Sequence, residues 1–434
     1  MTLAILADDL TGACDSSVPF ARRGLITRVL LAPGPVPFGN SDGVDVVAVD
    51  ADTRRLSRRL AVARTTVAAR ALRPQTPTET ARLFKKVDST LRGHVGPELL
   101  ACMRAWDAPL ALLCPAFPAT GRWVQGGEIF VDGRGSLGKV AQLAGLPSDR
   151  RTGALSIETL RGGLDAVSTA LRRLADGGAR VLVADADTPG HLSLLVEAAM
   201  GYPQAVLLAG AGGLAAALAE WEVQTRAAAG SPIIAPNSVA SSTVDDDPPW
   251  LVVAGSQTEV TGHQVVELAR AGAQILELDV DELLARPSLA LAAGRRAAEL
   301  IGRDVTPVLR LVVTPDPAGV HSRGQHLDER AARALARACQ LVVERAAPGG
   351  LFLTGGSTAR ACLLALGVSG LRLEREPLPG IAAGVALGGA WDGQPVITKS
   401  GGFGAPDAIR RVVRPRSPGR ITLPTARRAS PPVA

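Results

Sequence analysis

Short apolar runs that stop at a small or polar residue and give way to a helical pattern recur along this chain, and that alternation limits its fold more than any other feature. TLAILA leads into DDLTGACDSSVPFARRG, VDVVAVD into ADTRRLSRRLAVARTTVAARALR, ARVLVADAD into TPGHLSLLVEAAM, and QAVLLAG into AGGLAAALAEW. Residues 227–249, AAAGSPIIAPNSVASSTVDDDPP, are small, polar and proline-rich, with no periodicity. The pattern then begins again: WLVVAG runs into SQTEVTGHQVVELARAG, LRLVVTP follows, and GLFLTGG opens STARACLLALG. Strands alternating with helices predict a mainly parallel sheet covered on both faces. The expected class is therefore α/β, as two α/β domains with mainly parallel sheets. Their expected bounds are 1–235 and 250–413, joined by a linker at 236–249. A Pro/Arg-rich tail at 414–434 has the composition of a disordered segment.

The length of 434 residues allows each domain a real core, and aromatics at 3% leave that core to Leu, Val and Ala. From Ala408 onward there are seven arginines and no acids after them, which account for more than the whole formal charge of +6. The body is thus near neutral and lacks the interleaved aromatics of base stacking, so no nucleic-acid partner is expected. The five cysteines show no CxxC spacing. His321 and His326, the one close histidine pair, read as solvated loop residues. MTLAILADDLTG lacks a basic n-region and a long apolar run, and no stretch approaches 18 apolar residues. No membrane partner and a cytoplasmic location are expected, and an apolar face on domains so rich in Leu and Ala would suit a homodimer.

Ligands of open parallel sheets sit beyond the carboxyl ends of the strands, so the residues that follow each strand carry the chemistry. After TLAILA come Asp8 and Asp9; one acid would serve as a helix N-cap, and two exceed that need. Either can take a hydroxyl proton or bind polyol hydroxyls. After LFKKV come Asp88, Ser89, Thr90 and Arg92. Strand alternation sends Lys85 and Lys86 to opposite faces, where an unpaired buried ammonium is costly, and an anionic ligand at the strand end would relieve one of them. With Arg54 and Arg122, the rim of Arg54, Lys86, Arg92 and Arg122 suits a carboxylate, which a guanidinium binds at two points. The first domain reads as a site for a small hydroxy acid.

The second domain carries uncharged glycine turns instead: Gly255-Ser256, Gly355-Gly356-Ser357-Thr358 and Gly401-Gly402-Phe403-Gly404, with Lys399 beside the last. Glycines let backbone N–H groups approach phosphate oxygens closely. Any one such turn also occurs for packing alone, but three together favour a nucleotide. Two stretches imitate phosphate loops. GRGSLGKV, residues 133–140, has P-loop spacing but puts Val140 where Ser or Thr would bind magnesium, and it follows a hairpin-like EIFVD. GAGG, residues 210–213, resembles a dinucleotide turn with Ala215 in place of the third glycine.

These residues resemble one known family, the four-carbon acid sugar kinases, which phosphorylate tetronates such as threonate, erythronate and 3-oxo-tetronates with ATP. The resemblance runs over about residues 3–410 and rests on ADDLTGACD, KKVDSTLRGHVGPEL, CPAFPATGR, GSQTEVTGHQ, TGGSTARACLLALG and KSGGFGAPDAI. KxDSTLRG is the most specific of them. It implies an N-terminal acid-sugar domain and a C-terminal nucleotide domain. It implies that Asp8, Asp9, Arg54, Lys86, Asp88 and Arg92 surround the sugar acid. Ser256, Gly355 to Thr358, Gly401 and Gly404 would surround ATP. Members usually carry Glu or Asp where this chain has Ser357, and KSGNFG has become KSGGFG.

The expected mechanism is closure of the two domains over Mg-ATP and a tetronate, with the active site in the cleft between them. Asp9, or failing that Asp8, orients or deprotonates the C4 hydroxyl. Lys86 and Arg92 neutralise negative charge, and positioning carries most of the catalysis. Two other readings are a silent acid-sugar sensor disabled by Ser357, and a nicotinamide oxidoreductase that holds a pyrophosphate on GAGG.

Overall fold

In the computed structural model of the chain, the described residues are 2–32, 43–74, 81–132, 134–149, 151–230, 248–313 and 325–416, without the side chains of 325–328. The expected strands form, and they are mainly parallel. In spatial order the N-terminal half-sheet is Thr152–Leu155, Val181–Ala184, Leu110–Cys114, Val206–Gly210, Ala81–Lys86, Thr2–Ala7, Val46–Asp50 and Thr27–Leu30, every neighbour parallel. Runs such as Val46–Asp50 and Leu110–Cys114 are buried throughout, as strands covered on both faces must be. The C-terminal half-sheet is Pro395–Lys399, Leu351–Thr354, Leu251–Ala254, Pro307–Val312 and Gln274–Asp279, again all parallel.

The sequence pattern did not announce that the two half-sheets are one. Gly370–Leu378 and Ile381–Leu387 form an antiparallel hairpin between them, giving a single 15-stranded sheet. Gly370 pairs with Leu30 and Leu373 with Thr27 on one side; Ile381 pairs with Lys399 on the other. The three antiparallel steps reverse the strand sense from one half to the other. In a flat sheet the two sets of carboxyl ends would therefore point apart. Twist corrects this: six strand pairs separate Thr2–Ala7 from Leu351–Thr354, and at about 20–25° each they accumulate roughly 120–150°. Register shifts after Leu373 and Arg375 add to the bend. The carboxyl ends of both halves thereby meet at one cleft.

The helix Leu10–Ala21 fills the angle between the halves. All twelve of its residues are buried, and it packs on strands of both. Its buried hydroxyls are satisfied locally, Ser16 by Gly12 O at 2.8 Å and Ser17 by Ala13 O at 2.6 Å.

Both phosphate-loop imitations have structural explanations. Gly135–Lys139 is a strand of a separate antiparallel sheet with Arg122–Gln125 and Glu128–Val131, so its GSLGK forms no loop at a parallel strand end. In GAGG, a Cβ on Gly212 would lie 2.7 Å from the Phe117 ring and 2.9 Å from Asp15, and one on Gly213 would lie 2.7 Å from Ala116 O. Packing accounts for these glycines, so they do not favour the oxidoreductase.

Most of the expected linker and tail, along with His321, lies outside the described residues. His326 falls within the helix Gln325–Arg345 rather than a loop. Arg416 is tied down, pairing with Asp304 at 2.8 Å and with Thr306 through its backbone. Among the described residues no helix is long and apolar enough to cross a membrane.

Candidate active site

Thr2–Ala7 and Ala81–Lys86 are neighbours whose following helices leave on opposite faces of the sheet, which opens a crevice at their carboxyl ends. Lys85 and Lys86 mark the two faces. Lys85 Nζ lies 2.9 Å from Glu98 Oε2 on the helix Val95–Ala105, and Lys86 Nζ lies 3.8 Å from Asp15 Oδ2 on the helix Leu10–Ala21. The predicted alternation holds, but no ligand is needed to relieve it. Both ammonium groups are buried and paired within the protein, and Lys86 also donates to Val87 O at 2.8 Å. Burial works against the charge of Lys85, yet Glu98 holds it above the ordinary lysine value. On the other face, burial pushes the Asp15 carboxyl up to about 7 against the pull of Lys86.

At the crevice itself, Arg54 gathers three carboxylates. Its Nε and Nη2 hold Asp8 at two points, both 2.8 Å, while Nη1 reaches Asp9 Oδ2 at 2.5 Å and stands 3.7 Å from Asp88 Oδ2. The backbone enforces this, because the amides of Thr53 and Arg54 both donate to Asp8 O. Burial favours a neutral Asp8, but the charge and hydrogen bonds of Arg54 hold its carboxyl below the usual value. Arg54 is thus spent inside the protein as the counter-ion of the acids, rather than left free for a carboxylate ligand.

Asp9 is the N-cap of the helix Leu10–Ala21: Oδ1 accepts from Gly12 N at 2.8 Å, and Oδ2 accepts from Thr11 Oγ1 at 3.1 Å. Asp88 organises its own loop. Its Oδ1 accepts from the amide and hydroxyl of Thr90, at 3.0 and 2.6 Å, and its carboxylate takes Arg92 Nε and Nη2 at 3.1 and 2.6 Å. The loop needs that anchor, because Leu91 is left-handed at φ +61°. Burial opposes ionisation of Asp88, but Arg54 and Arg92 hold it far below the ordinary range. The Arg92 side chain is 59% exposed and leaves Nη1 unused among the described residues.

The glycine turns meet this cluster from the other half, and they interlock. A Cβ on Gly255 would lie 1.9 Å from Thr358 Oγ1, and one on Gly401 would lie 1.9 Å from Ser256 Oγ. Gly355 adopts φ +98°, and its neighbour Gly356 begins the helix Gly356–Ala365. A Cβ on Gly356 would lie 2.6 Å from Asp9 Oδ2. Together the two halves enclose a cavity of about 510 Å³. Asp8, Asp9, Arg54, Arg92, Ser256, Gly355, Gly356, Ser357, Thr358 and Gly401 all line it. Val280, Leu311 and Ala331 give it an apolar end.

Six expected site residues are not among the lining. Lys86, Asp88 and Ser89 are buried behind it. Arg122 and Gly404 belong to its supporting structure. Lys399 is fully buried and donates to the carbonyls of Ser400, Gly401 and Phe403 at 2.9, 3.3 and 3.1 Å; burial pushes it down to about 7. Sequence reasoning missed Arg360 and Asp50. From the helix Gly356–Ala365, Arg360 Nη1 reaches Asp50 Oδ2 at 2.9 Å and Nε reaches Asp52 Oδ2 at 3.2 Å, tying the halves together. Burial raises Asp50 to about 7 against Arg360. The available signal was position: Arg360 follows Gly356 by four residues and so shares its helix face.

Among the described residues no three His, Cys, Asp or Glu side chains meet to hold a metal. The oxygens lining the cavity include the carboxylates of Asp8, Asp9, Asp50 and Asp52, the acids among them largely taken up by Arg54 and Arg360, and the hydroxyls of Ser256, Ser357 and Thr358. They suit a magnesium held chiefly by phosphates and water, as that ion usually is, rather than by a protein cage.

A family model described as a sugar-binding N-terminal domain matches residues 3–145 and 138–218, and one described as a nucleotide-binding C-terminal domain matches 251–409. The D-threonate kinase of Salmonella typhimurium is 32% identical, over 94% of this chain and 97% of that protein. The 3-oxo-tetronate kinase of Cupriavidus necator is 30% identical, over 95% and 96%. A crystal structure from Salmonella typhimurium LT2, 24% identical, shares the fold with a TM-score of 0.73, covering 95% of this chain and 99% of that one.

Proposed function

The chain belongs to the four-carbon acid sugar kinase family, and on that premise we propose that it transfers the γ-phosphoryl group of ATP to the terminal C4 hydroxyl of a four-carbon sugar acid. D-threonate, named for the Salmonella relative, is the first candidate. The observation that carries this reading is the contact of Asp9 with the start of the helix Gly356–Ala365. It sets a hydroxyl-binding carboxylate directly against a phosphate-type glycine turn.

In this reading the adenine lies toward Val280, Leu311 and Ala331, and the phosphates lie along the turns at Gly255, Gly355 and Gly401. The positive end of the helix Gly356–Ala365 and the turn amides favour the γ-phosphoryl oxygens. Magnesium bound with the nucleotide supplies neutralising charge. Asp9 accepts the C4 proton as the hydroxyl oxygen bonds to phosphorus and the bond from phosphorus to the β-bridging oxygen breaks, leaving ADP. Asp8, whose carboxyl Arg54 holds below the usual value by binding both its oxygens, is the weaker choice for this base. Arg92 keeps an N–H free for the carboxylate or the transferring group. Positioning and charge neutralisation carry the rate, as in phosphoryl transfer generally. A cytoplasmic setting, where ATP is available, belongs to the same proposal.

The test is ADP release with Mg-ATP against D- and L-threonate, D- and L-erythronate and the 3-oxo-tetronates. Turnover of one member is expected. Silence across the panel, with a tetronate still raising the Tm, would replace the kinase by a binding protein.

A further inference from the structure

Every backbone carbonyl from Ser400 to Ala405 is held by a side chain. Lys399 takes those of Ser400, Gly401 and Phe403. Thr258 and Thr261 also take Gly401, at 2.7 and 3.0 Å. Gln264 Nε2 takes Phe403, Gly404 and Ala405, at 3.0, 3.2 and 2.9 Å. All of these donors belong to the nucleotide-side half. Gly402 is the exception: its carbonyl accepts from Arg122 Nη2 of the acid-sugar half, at 3.1 Å.

With the carbonyls drawn inward, the amides of Gly401, Gly402 and Gly404 donate to nothing among the described residues. A run of free N–H groups of this kind is an anion-binding concavity. Its shape depends on how the turn is closed: carbonyl and amide of one peptide unit turn together, so Arg122 on Gly402 O orients the Phe403 amide, which donates to Ser400 O at 3.2 Å between the free amides.

Arg122 is well placed to fix that shape. Its Nη1 donates to Thr120 O at 2.6 Å, which holds the guanidinium to its own loop. Its carbon Cζ lies 4.6 Å from the centre of the Phe403 ring, a cation–π contact. The same ring meets Phe117 edge-on at 5.8 Å, so two residues of the acid-sugar half grip the turn at adjacent positions. Phe117, Ala211 and Phe403 form a small apolar cluster of their own.

We infer that Arg122 is a positioning residue for the nucleotide turn 400–405 and does not bind the sugar acid. The acid-sugar half thereby completes the phosphate cradle of the other half, and nucleotide affinity depends on both. That the turn's ligand is ATP rests on the function proposed above; the structural role of Arg122 does not.

The experiment uses the full chain with Arg122→Met, which keeps the apolar stem, Arg122→Lys, which keeps the charge without the flat guanidinium, and Phe403→Leu. Titration with AMP-PNP in magnesium, and separately with D-threonate, reads the two sites. Arg122→Met is expected to weaken AMP-PNP at least tenfold and D-threonate less than twofold, with Arg122→Lys intermediate. Combining Arg122→Met with Phe403→Leu should cost no more than the worse single change. Hydrogen exchange of the ligand-free protein should quicken over 400–405 and stay unchanged over Leu351–Thr354. Loss of D-threonate affinity with AMP-PNP affinity and exchange intact would overturn the inference in favour of a carboxylate ligand. No change in either affinity would overturn it outright. If Arg122→Met does not fold, Arg122→Lys and Phe403→Leu carry the same comparison. A wild-type chain that binds no AMP-PNP refutes the kinase reading, while the exchange experiment still decides the role of Arg122.

Discussion

Gly356 and Asp9 meet across the junction of the two halves so closely that a methyl group on the glycine would lie 2.6 Å from the carboxylate oxygen and 3.3 Å from Thr11 Oγ1. The helix Gly356–Ala365 and the carboxylate of Asp9 therefore line one cavity. Gly356→Ala is expected to lower kcat/KM at least about a hundredfold, since a misplacement near 1 Å costs that much in an oriented reaction. Near-native kinetics for this variant would mean that the contact does not define the reacting geometry.

Asp9→Asn keeps the size of the side chain and an oxygen for the Gly12 amide, so the helix cap survives. As the proposed base it should lose about two to four orders of magnitude in kcat with KM for the sugar acid little changed. A mutant that loses affinity but retains kcat would make Asp9 a binding residue only.

Arg92 is a cavity cation with an N–H to spare among the described residues. Arg92→Ala should lower kcat/KM by roughly two orders of magnitude, corresponding to about 3 kcal/mol for a charged contact. Asp88 retains Arg54 nearby at 3.7 Å, so the fold should persist. Unchanged kinetics would remove Arg92 from the site.

Lys85 and Glu98 form an ion pair whose side chains are only 1% and 2% exposed. Removing one partner strands a buried charge, so Lys85→Met should cost about 3–5 kcal/mol in urea unfolding. The double change Lys85→Met with Glu98→Leu should recover most of the loss. A double mutant no better than the single would show that the pair itself, and not the stranded charge, carries the stability.

Burial of Asp50 beneath Arg360 makes stability depend on pH in a defined direction. The folded value of Asp50 is raised to about 7, above an unfolded value of about 4, so the folded state holds the extra proton between them. Its contribution therefore falls as pH rises from about 4 to 7. Arg360→Ala deepens that fall by removing the counter-charge. The variant should lose about 3 kcal/mol at pH 8, and clearly less at pH 5, where Asp50 is already neutral. Equal losses at both values, measured by urea unfolding, would show that the carboxylate is not what Arg360 stabilises.

Much of this site was legible because its motifs are local. DDLTG, DSTLRG and the glycine turns each stand directly after a strand, and strand periodicity alone places them at carboxyl ends. The proposed division into acid-sugar and nucleotide halves rests on which strand ends carry charge and which carry glycine. Alternation also placed Lys85 and Lys86 on opposite faces.

Charge partners were not legible, because they are separated along the chain. Arg54 reads as a free cation until Asp8, 46 residues away, is found holding it at two points. Lys86 reads as a ligand until Asp15 is found on the neighbouring helix. The pairing of Arg360 with Asp50 spans 310 residues. Pattern alone reveals which residues carry charge; burial and distance decide which charges are already neutralised.

The sequence by itself determined the α/β class, the positions of the strands and the chemistry gathered at each strand end, because these depend on periodicity and on residues close in the chain. Only the tertiary structure decided that the hairpin Gly370–Leu387 fuses the two half-sheets and that accumulated twist turns their carboxyl ends toward one another. Strand pairing at such separations is selected by packing and twist over the whole sheet, and no local pattern encodes it.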